Sequence, residues 1–187
     1  MQRLIAALFV LISLTATARA QDLVAKAKVA EALAAEGKFV AAIDTLDEAA
    51  SAIWDKSPLI FRRSLWVAEP PGGYGAYTPR ENNVFRSGAE MHVYAEPVGF
   101  GWRKSGDLWR TDLIVDVSVK TAAGVQIYQQ NEFQRLQLSS RVHNREFMAH
   151  LTYTLSGLPP GKYLIDTTLR DTVSGKNGVF SLPFVIQ

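Results

Sequence analysis

The apolar residues of this chain of 187 residues change their spacing once, near Ser57. Before that point, over residues 23–54, they recur every three or four positions in an alanine-rich stretch, which is typical of an amphipathic helix. After it, apolar and polar residues alternate, which is typical of a strand with one buried face. We therefore expect a helical segment followed by a mainly β domain, with the change of domain between residues 56 and 57.

A single glycine divides the helical segment. Gly37 stands between two periodic stretches, residues 23–36 and 39–54. Glycine readily takes the left-handed conformation that ends a helix. The spacing therefore predicts an antiparallel helical hairpin over residues 21–56.

The hairpin carries a resemblance to a known repeat. The stretch from Gly37 to Ala49 resembles the second half of a tetratricopeptide repeat, and Ala30 and Ala34 are small residues where the first helix would pack closely. The resemblance covers about 34 residues, one repeat. It lacks an early Trp or Tyr, and Pro58 comes several positions late. Because one repeat cannot bury its own apolar face, we expect the hairpin to dock on its neighbour or on another copy of the chain.

Seven segments with period-two alternation follow. They are separated by turn signals and by no helical pattern, which favours a seven-stranded antiparallel β-sandwich over residues 57–187. The predicted strands are residues 59–67, 89–96, 109–120, 125–136, 147–155, 163–169 and 180–186.

One turn carries a second resemblance. The stretch from Leu155 to Tyr163, with Pro159-Pro160-Gly161 inside it, resembles the crossing between the fifth and sixth strands of immunoglobulin-like and fibronectin type III-like domains. The resemblance implies a tyrosine corner, in which the Tyr163 ring lies in the core and its hydroxyl bonds to the crossing loop. The chain has no cysteine, so the disulfide of antibody domains is absent.

The N-terminus has the pattern of an export signal. Arg3 precedes an apolar run over residues 4–14, and Ala18-Arg19-Ala20 has the small-residue pattern of a cleavage site. As a helix this run would rise only about 16 Å, too short to cross a bilayer. We expect cleavage after Ala20, with a periplasmic or secreted product that has no further membrane-spanning segment.

The charge and the motifs of the sequence indicate no catalytic, metal or nucleic-acid-binding site. The formal net charge of +2 falls to zero without Arg3 and Arg19, so a nucleic-acid partner, which needs clustered cations, is not expected. No serine-hydrolase or phosphate-loop motif is present. His92, His143 and His150 have no metal-ligand spacing. We therefore expect no enzyme, no catalytic residue, no metal and no cofactor.

Carboxylates on the strands are interpreted as surface ion pairs. Asp112 and Asp116 share a strand face but lie about 13 Å apart, beyond the reach of a paired-carboxylate glycosidase site. Asp116, Asp166 and Arg170 are expected to meet on the outer face of a sheet as a solvated salt bridge.

The candidate ligand or partner surface lies in two irregular segments, residues 69–88 and 97–108. Both place glycine beside aromatic residues, and long loops of this kind are often functional. The candidate residues are Tyr74, Tyr77, Phe100 and Trp102. Such rings can stack on sugars or receive a peptide. The alternative is that they cap the sandwich or pack against the hairpin.

These observations favour one function over two others. The chain is expected to be an exported, non-catalytic interaction or structural module of a bacterial-type cell envelope, which binds a protein or its own copies. The alternative is a module that binds a glycan or another envelope ligand through the aromatic loops. An enzyme of unrecognised type is the third reading.

Overall fold

The computed structural model describes residues 22–187. The predicted export signal, residues 1–20, lies outside the described residues. The chain divides into two compact units, of which the first ends at Trp54 and the second is Asp55–Gln187. Two helices precede a mainly β segment, so the predicted order of helices and strands is confirmed. No helix within residues 22–187 has the length and apolarity needed to span a membrane.

Helix α1 covers residues 22–35, and α2 is Phe39–Lys56. Between them Gly37 has φ +77°, and its N–H donates to the carbonyl of Ala34 (3.0 Å). Lys38 N–H donates to the carbonyl of Leu33 (2.9 Å). These bonds satisfy carbonyls at the end of α1 that have no partner inside the helix. The prediction that Gly37 ends the first helix is confirmed.

Small residues and an ion pair join the two helices of the helical unit. Ala30 of α1 and Ala42 of α2 are buried, and Lys26 Nζ lies 2.6 Å from Glu48 Oε2. Several larger apolar side chains of the unit are exposed, namely Val24, Val29, Phe39, Val40, Ile43, Leu46 and Ile53. The docking of the hairpin on the sandwich or on another copy stays a prediction.

Nine strands form the second unit. Three of them make one sheet, in the order β1-β3-β7; the others make a second sheet, in the order β2-β9-β8-β5-β4, with β6 also paired to β5. The strands are β1 Ile60–Val67, β2 Val84–Phe85, β3 Glu90–Val98, β4 Arg103–Ser105, β5 Leu108–Thr121, β6 Gln126–Ser140, β7 Ala149–Thr154, β8 Gly161–Asp171 and β9 Asn177–Ile186.

The structure differs from the seven antiparallel strands expected. Two further strands, β2 and β4, lie inside the segments that the sequence indicates as irregular. Strand β2 is parallel to β9, with Val84 opposite Val185 and Phe85 opposite Ile186. Strands of two or three residues are too short to show an alternating pattern, and the direction of a pairing depends on a distant partner. The second sheet is therefore mixed.

The alternation in the long strands defines the core. On β5 the side chains of Leu113, Val115, Val117 and Val119 are buried, while those between them are partly exposed. Full burial of a side chain of this size stabilises the fold by roughly 1.5–3 kcal/mol. Trp66 of β1 is also buried, and its indole N–H donates to the carbonyl of Pro183 (2.9 Å). This bond ties the first sheet to β9 of the second.

Tyr163 anchors the crossing from β7 to β8. Its hydroxyl donates to the carbonyl of Pro159, four residues upstream, at 2.7 Å. Its ring stacks on Phe184 of β9, with ring centroids 5.4 Å apart. The side chain therefore fixes the loop to the core through both its ring and its hydroxyl.

Candidate ligand-binding site

Tyr74 and Tyr77 lie in the loop between β1 and β2, which folds onto the first sheet. The ring of Tyr77 stacks on Tyr94 of β3, with centroids 4.2 Å apart. The hydroxyl of Tyr74 accepts a hydrogen bond from Arg62 Nη1 (2.8 Å) and lies 3.4 Å from Glu96 Oε2. Both residues are partly buried. Their contacts hold the loop against the sheet.

A buried tyrosine and a buried carboxylate form the floor under this loop. The Tyr94 hydroxyl donates to Glu96 Oε1 (2.9 Å) and accepts from the Gly75 N–H (2.8 Å). Burial, followed by smaller effects that include the neighbouring Glu96, raises the pKa of Tyr94 to about 12. The hydroxyl therefore stays protonated at neutral pH and remains a donor to Glu96.

Phe100 and Trp102 belong to a different group. Phe100 is fully buried and packs against Phe147, with centroids 5.6 Å apart. Trp102 is partly exposed and lies 5.5 Å from Phe100, centroid to centroid. The four candidate residues therefore form two groups with different neighbours, and Phe100 is part of the core.

Trp102 belongs to a cluster whose other members are not among the four candidate residues. The ring of His143, from the loop between β6 and β7, is parallel to that of Trp102, with centroids 6.0 Å apart. It meets Trp109 of β5 edge-on at 4.1 Å. Lys104 of β4 is directly opposite Trp109, and its ammonium lies 5.7 Å from the Trp109 ring centroid. We call Trp102, Lys104, Trp109 and His143 the aromatic patch.

The patch combines flat apolar faces with a cation at the surface. Trp102 and Trp109 are partly exposed, whereas Lys104 and His143 are exposed. The buried Nε1–H of Trp102 has no acceptor among the described residues. Aromatic faces beside an ammonium suit a ring-shaped ligand with an anionic group. Trp109 adjoins the predicted loop in sequence, but no sequence signal connects it to His143.

Strands β4 and β5, which carry Lys104 and Trp109 on one face, carry arginines on the other face. Arg103 of β4 stands directly opposite Arg110 of β5, and within residues 22–187 neither has a carboxylate at ion-pair distance. With Lys104 they give three cations against the single carboxylate of Asp107 over residues 103–110. A net charge near zero therefore conceals a local excess of positive charge, which is the property that attracts anions.

Two of the three histidines meet across strands. His150 of β7 places Nε2 3.4 Å from Nδ1 of His92 on β3. Burial lowers the pKa of His150, and the neighbouring His92 lowers it further. The two residues are 58 positions apart, so local spacing does not reveal the pair. Among the described residues, no group of three His, Asp or Glu side chains is arranged to hold a metal ion.

The carboxylates of the second sheet are engaged in ion pairs. Asp116 lies 2.6 Å from Arg170, as expected, whereas Asp166 pairs with Lys120 (2.6 Å). Asp112 is buried, and its pKa is lowered to about 2, chiefly by the hydrogen bond from the Arg135 guanidinium. These pairs cross neighbouring strands and stabilise the sheet.

Comparison with known proteins adds little to this geometry. No family model and no curated protein matches the chain. One similar solved structure is the alkylpurine DNA glycosylase AlkC of Pseudomonas fluorescens, bound to DNA with an abasic-site analogue, at 10% identity and a TM-score of 0.38, covering 74% of this chain and 33% of that one. Another is the sporulation control protein Spo0M of Bacillus subtilis, at 10% identity and a TM-score of 0.36. The match covers 70% of this chain and 50% of that one. The chain thus spans a third to a half of their lengths.

Two expectations from the sequence are corrected here. The sequence was interpreted as excluding an enzyme and a nucleic-acid partner, but the glycosylase is an enzyme bound to DNA. Both exclusions are wrong as stated, and neither is kept. The physical reason is that missing motifs and a zero net charge do not exclude a site assembled from distant segments or a local cluster of cations. At this TM-score the likeness assigns neither activity to the chain.

Proposed function

We propose that this chain is an exported interaction module of the cell envelope that binds an acidic glycan through the aromatic patch. One observation carries the proposal. The exposed His143 ring lies beside two partly exposed indoles, Trp102 and Trp109, and the Lys104 ammonium lies 5.7 Å from the centre of the Trp109 ring. Export is supported by the signal pattern of residues 1–20.

The proposed architecture is a tetratricopeptide-like hairpin followed by a variant of the immunoglobulin-like sandwich. The membership of the two sheets supports the second part, with β1, β3 and β7 in one sheet and β5, β6, β8 and β9 in the other. The bond from Tyr163 to Pro159 has the form of a tyrosine corner. The parallel pairing of β2 with β9 is the main feature that separates this unit from a purely antiparallel sandwich.

The chemistry of the patch favours a sugar with an anionic substituent. An indole presents a broad apolar face, which can stack on the C–H face of a sugar ring and gains from its desolvation. Lys104 lies directly opposite Trp109 on the neighbouring strand. A sugar stacked on Trp109 would therefore have its carboxylate or phosphate within reach of the ammonium. A single lysine contributes modestly at an exposed position, so the rings supply most of the affinity.

Titration with defined oligosaccharides tests the proposal. The protein is purified from the periplasm of an expressing host, where a product beginning at Gln21 is expected and one beginning at Met1 contradicts export. A uronic-acid oligosaccharide should change the tryptophan fluorescence and bind more tightly than a neutral glucan of equal length. Trp109→Ala should weaken binding by about tenfold or more, since a lost stacking contact of about 1.4 kcal/mol corresponds to that factor. Lys104→Gln should reduce the preference for the acidic sugar.

Tyr74→Ala is the matched control. Tyr74 is also a partly buried aromatic residue of a loop, but it lies outside the patch. This variant should bind the acidic oligosaccharide as the unmodified protein does. If Tyr74→Ala abolishes binding and Trp109→Ala does not, the recognition surface is the other loop. If a single-stranded oligodeoxynucleotide binds more tightly than either sugar, the ligand class is wrong although the patch is a binding site.

A further inference from the structure

One stretch of β6 is exposed along its whole length. All six residues from Gln126 to Asn131 are exposed, including Ile127 at 44% and Tyr128 at 42%. Strand β6 pairs with β5 along one edge, and within residues 22–187 no strand pairs with the other edge. In an antiparallel pair, every second residue of an edge strand directs its N–H and C=O outward. The stretch therefore presents unpaired backbone donors and acceptors.

A bulge separates this stretch from the rest of β6. Val115 pairs with Gln134 but Val117 pairs with Gln130, so β6 has extra residues at this point. Among them Glu132 has φ +52°, a conformation that costs a non-glycine residue energy. The N–H of Glu132 donates to Asp116 Oδ1 (2.8 Å), which stabilises the bulge. A second bulge lies inside the exposed stretch, because Val119 pairs with Tyr128 and Lys120 pairs with Gln126. Ile127 is therefore the extra residue there.

The two parts of β6 on either side of the bulge have different surroundings. On the C-terminal side, the Phe133 ring packs 5.3 Å from Tyr153 of β7, and Gln134 Nε2 lies 3.4 Å from the carbonyl of His150. On the N-terminal side, residues 126–131 make side-chain hydrogen bonds with one another, such as Tyr128 to Gln130 (2.6 Å). The C-terminal side therefore has side-chain contacts with β7 of a kind that residues 126–131 do not show within the described part of the chain.

The free edge has bulges at Ile127 and near Glu132, which limit pairing, but it lacks the charged and proline residues that also protect an edge. Natural edge strands carry lysine, proline or inward charges that prevent association. Residues 125–131, with the sequence Val-Gln-Ile-Tyr-Gln-Gln-Asn, have no charge, no proline and no glycine. Ile, Val and Tyr favour strands, and like amide side chains can form ladders with each other. A second strand of the same composition would meet no charge repulsion.

We propose that the free edge of β6, within residues 126–131, pairs antiparallel with the same edge of a second copy of this chain, about a two-fold axis that passes beside one residue. The pairing uses one edge of each copy, so it closes at two chains instead of extending into a fibre. The second sheet of one copy becomes continuous with the second sheet of the other across the two-fold axis. The exposed Ile127 and Tyr128 gain apolar neighbours. This surface is separate from the aromatic patch, and the proposal does not depend on glycan binding.

Single cysteines test the geometry directly, because the chain has none of its own. A two-fold axis normal to the sheet places one residue opposite itself, with Cα atoms within the range of a disulfide. Among Ile127→Cys, Tyr128→Cys, Gln129→Cys and Gln130→Cys, one variant should form a covalent dimer under mild oxidation and its neighbours far less. Val179→Cys is the matched control, since Val179 is also exposed on a strand but lies on β9.

The oligomeric state provides the second measurement. By sedimentation, the mature chain should be a dimer at concentrations where Gln129→Lys and Ile127→Lys are monomers with unchanged circular dichroism. Val179→Lys, which alters the charge equally, should remain a dimer. A monomeric wild-type chain, or cross-linking no greater than that of Val179→Cys, overturns the proposal. So does a dimer that persists in Gln129→Lys and is lost in Ile43→Lys, which would place the contact on the helical hairpin. Glycan binding by Gln129→Lys should be unchanged.

Discussion

The hydroxyls of Tyr153 and Thr167 form a hydrogen bond in the core of the β unit, and its removal should reveal a strong coupling. Tyr153 belongs to β7 of the first sheet and Thr167 to β8 of the second; their oxygens are 2.8 Å apart. The two residues are 1% and 0% exposed. Burial raises the pKa of Tyr153 far above its usual value, so the hydroxyl keeps its proton. Because water does not reach this pair, loss of one hydroxyl leaves the other without a partner.

The expected free energies follow from that burial. Tyr153→Phe and Thr167→Val should each lower the free energy of unfolding by about 1–3 kcal/mol, since each leaves one buried hydroxyl unsatisfied. The double variant replaces both hydroxyls with apolar groups of nearly the same shape, which can be close to neutral. Its cost should therefore be well below the sum of the single costs, and the coupling should be at least about 1–3 kcal/mol, the cost of one single variant.

Tyr163→Phe is the matched control. It removes a hydrogen bond of similar length, 2.7 Å, but its acceptor belongs to the exposed Pro159. The carbonyl can bind water instead, so the cost should be about 0.5–1.5 kcal/mol.

Urea unfolding of the mature chain measures these differences. Tryptophan fluorescence reports mainly on the β unit, which holds three of the four tryptophans. One of these, Trp66, lies 6.2 Å from Tyr153 between ring centroids. Far-ultraviolet circular dichroism reports on both units. Additive costs, within about 0.5 kcal/mol, would refute the argument. So would a Tyr153→Phe variant whose cost is below about 1 kcal/mol.

Two further predictions concern acid stability and a close backbone approach. The pKa of Asp112 is lowered to about 2, so its ion pair with Arg135 stabilises the fold above about pH 4 and is lost as the pH falls towards 2. Asp112→Asn should therefore be less stable than the unmodified chain at pH 7 and should lose less stability between about pH 7 and pH 2.5. An equal loss of stability in both proteins over this pH range, measured by urea unfolding, would contradict this. A Cβ on Gly178 would lie 2.4 Å from the carbonyl oxygen of Leu59, so Gly178→Ala should lower the thermal midpoint by an amount equivalent to about 1–3 kcal/mol, whereas Gly73→Ala, with nothing within 4 Å of its Cβ, should leave it nearly unchanged.

Features with a local physical cause were predictable from the sequence. Gly37 ends α1 because only glycine takes a positive φ without a steric cost. The alternation along β5 predicted a strand with one buried face, since successive side chains point to opposite sides. The loop aromatics were also identified as candidates, and Trp102 does lie in the aromatic patch. Each of these inferences needs only residues that are neighbours in the chain.

What only the tertiary structure decided is which distant residues meet. His143 lies beside Trp109 because the loop after β6 returns to the start of β5, and His92 meets His150 because β3 pairs with β7. Phe100 and Trp102 are two residues apart, yet one is buried and the other partly exposed. The free edge of β6 likewise depends on which strands pair with it. Strand register and loop paths are set by the packing of the whole unit, so they cannot be predicted from residue spacing along the chain.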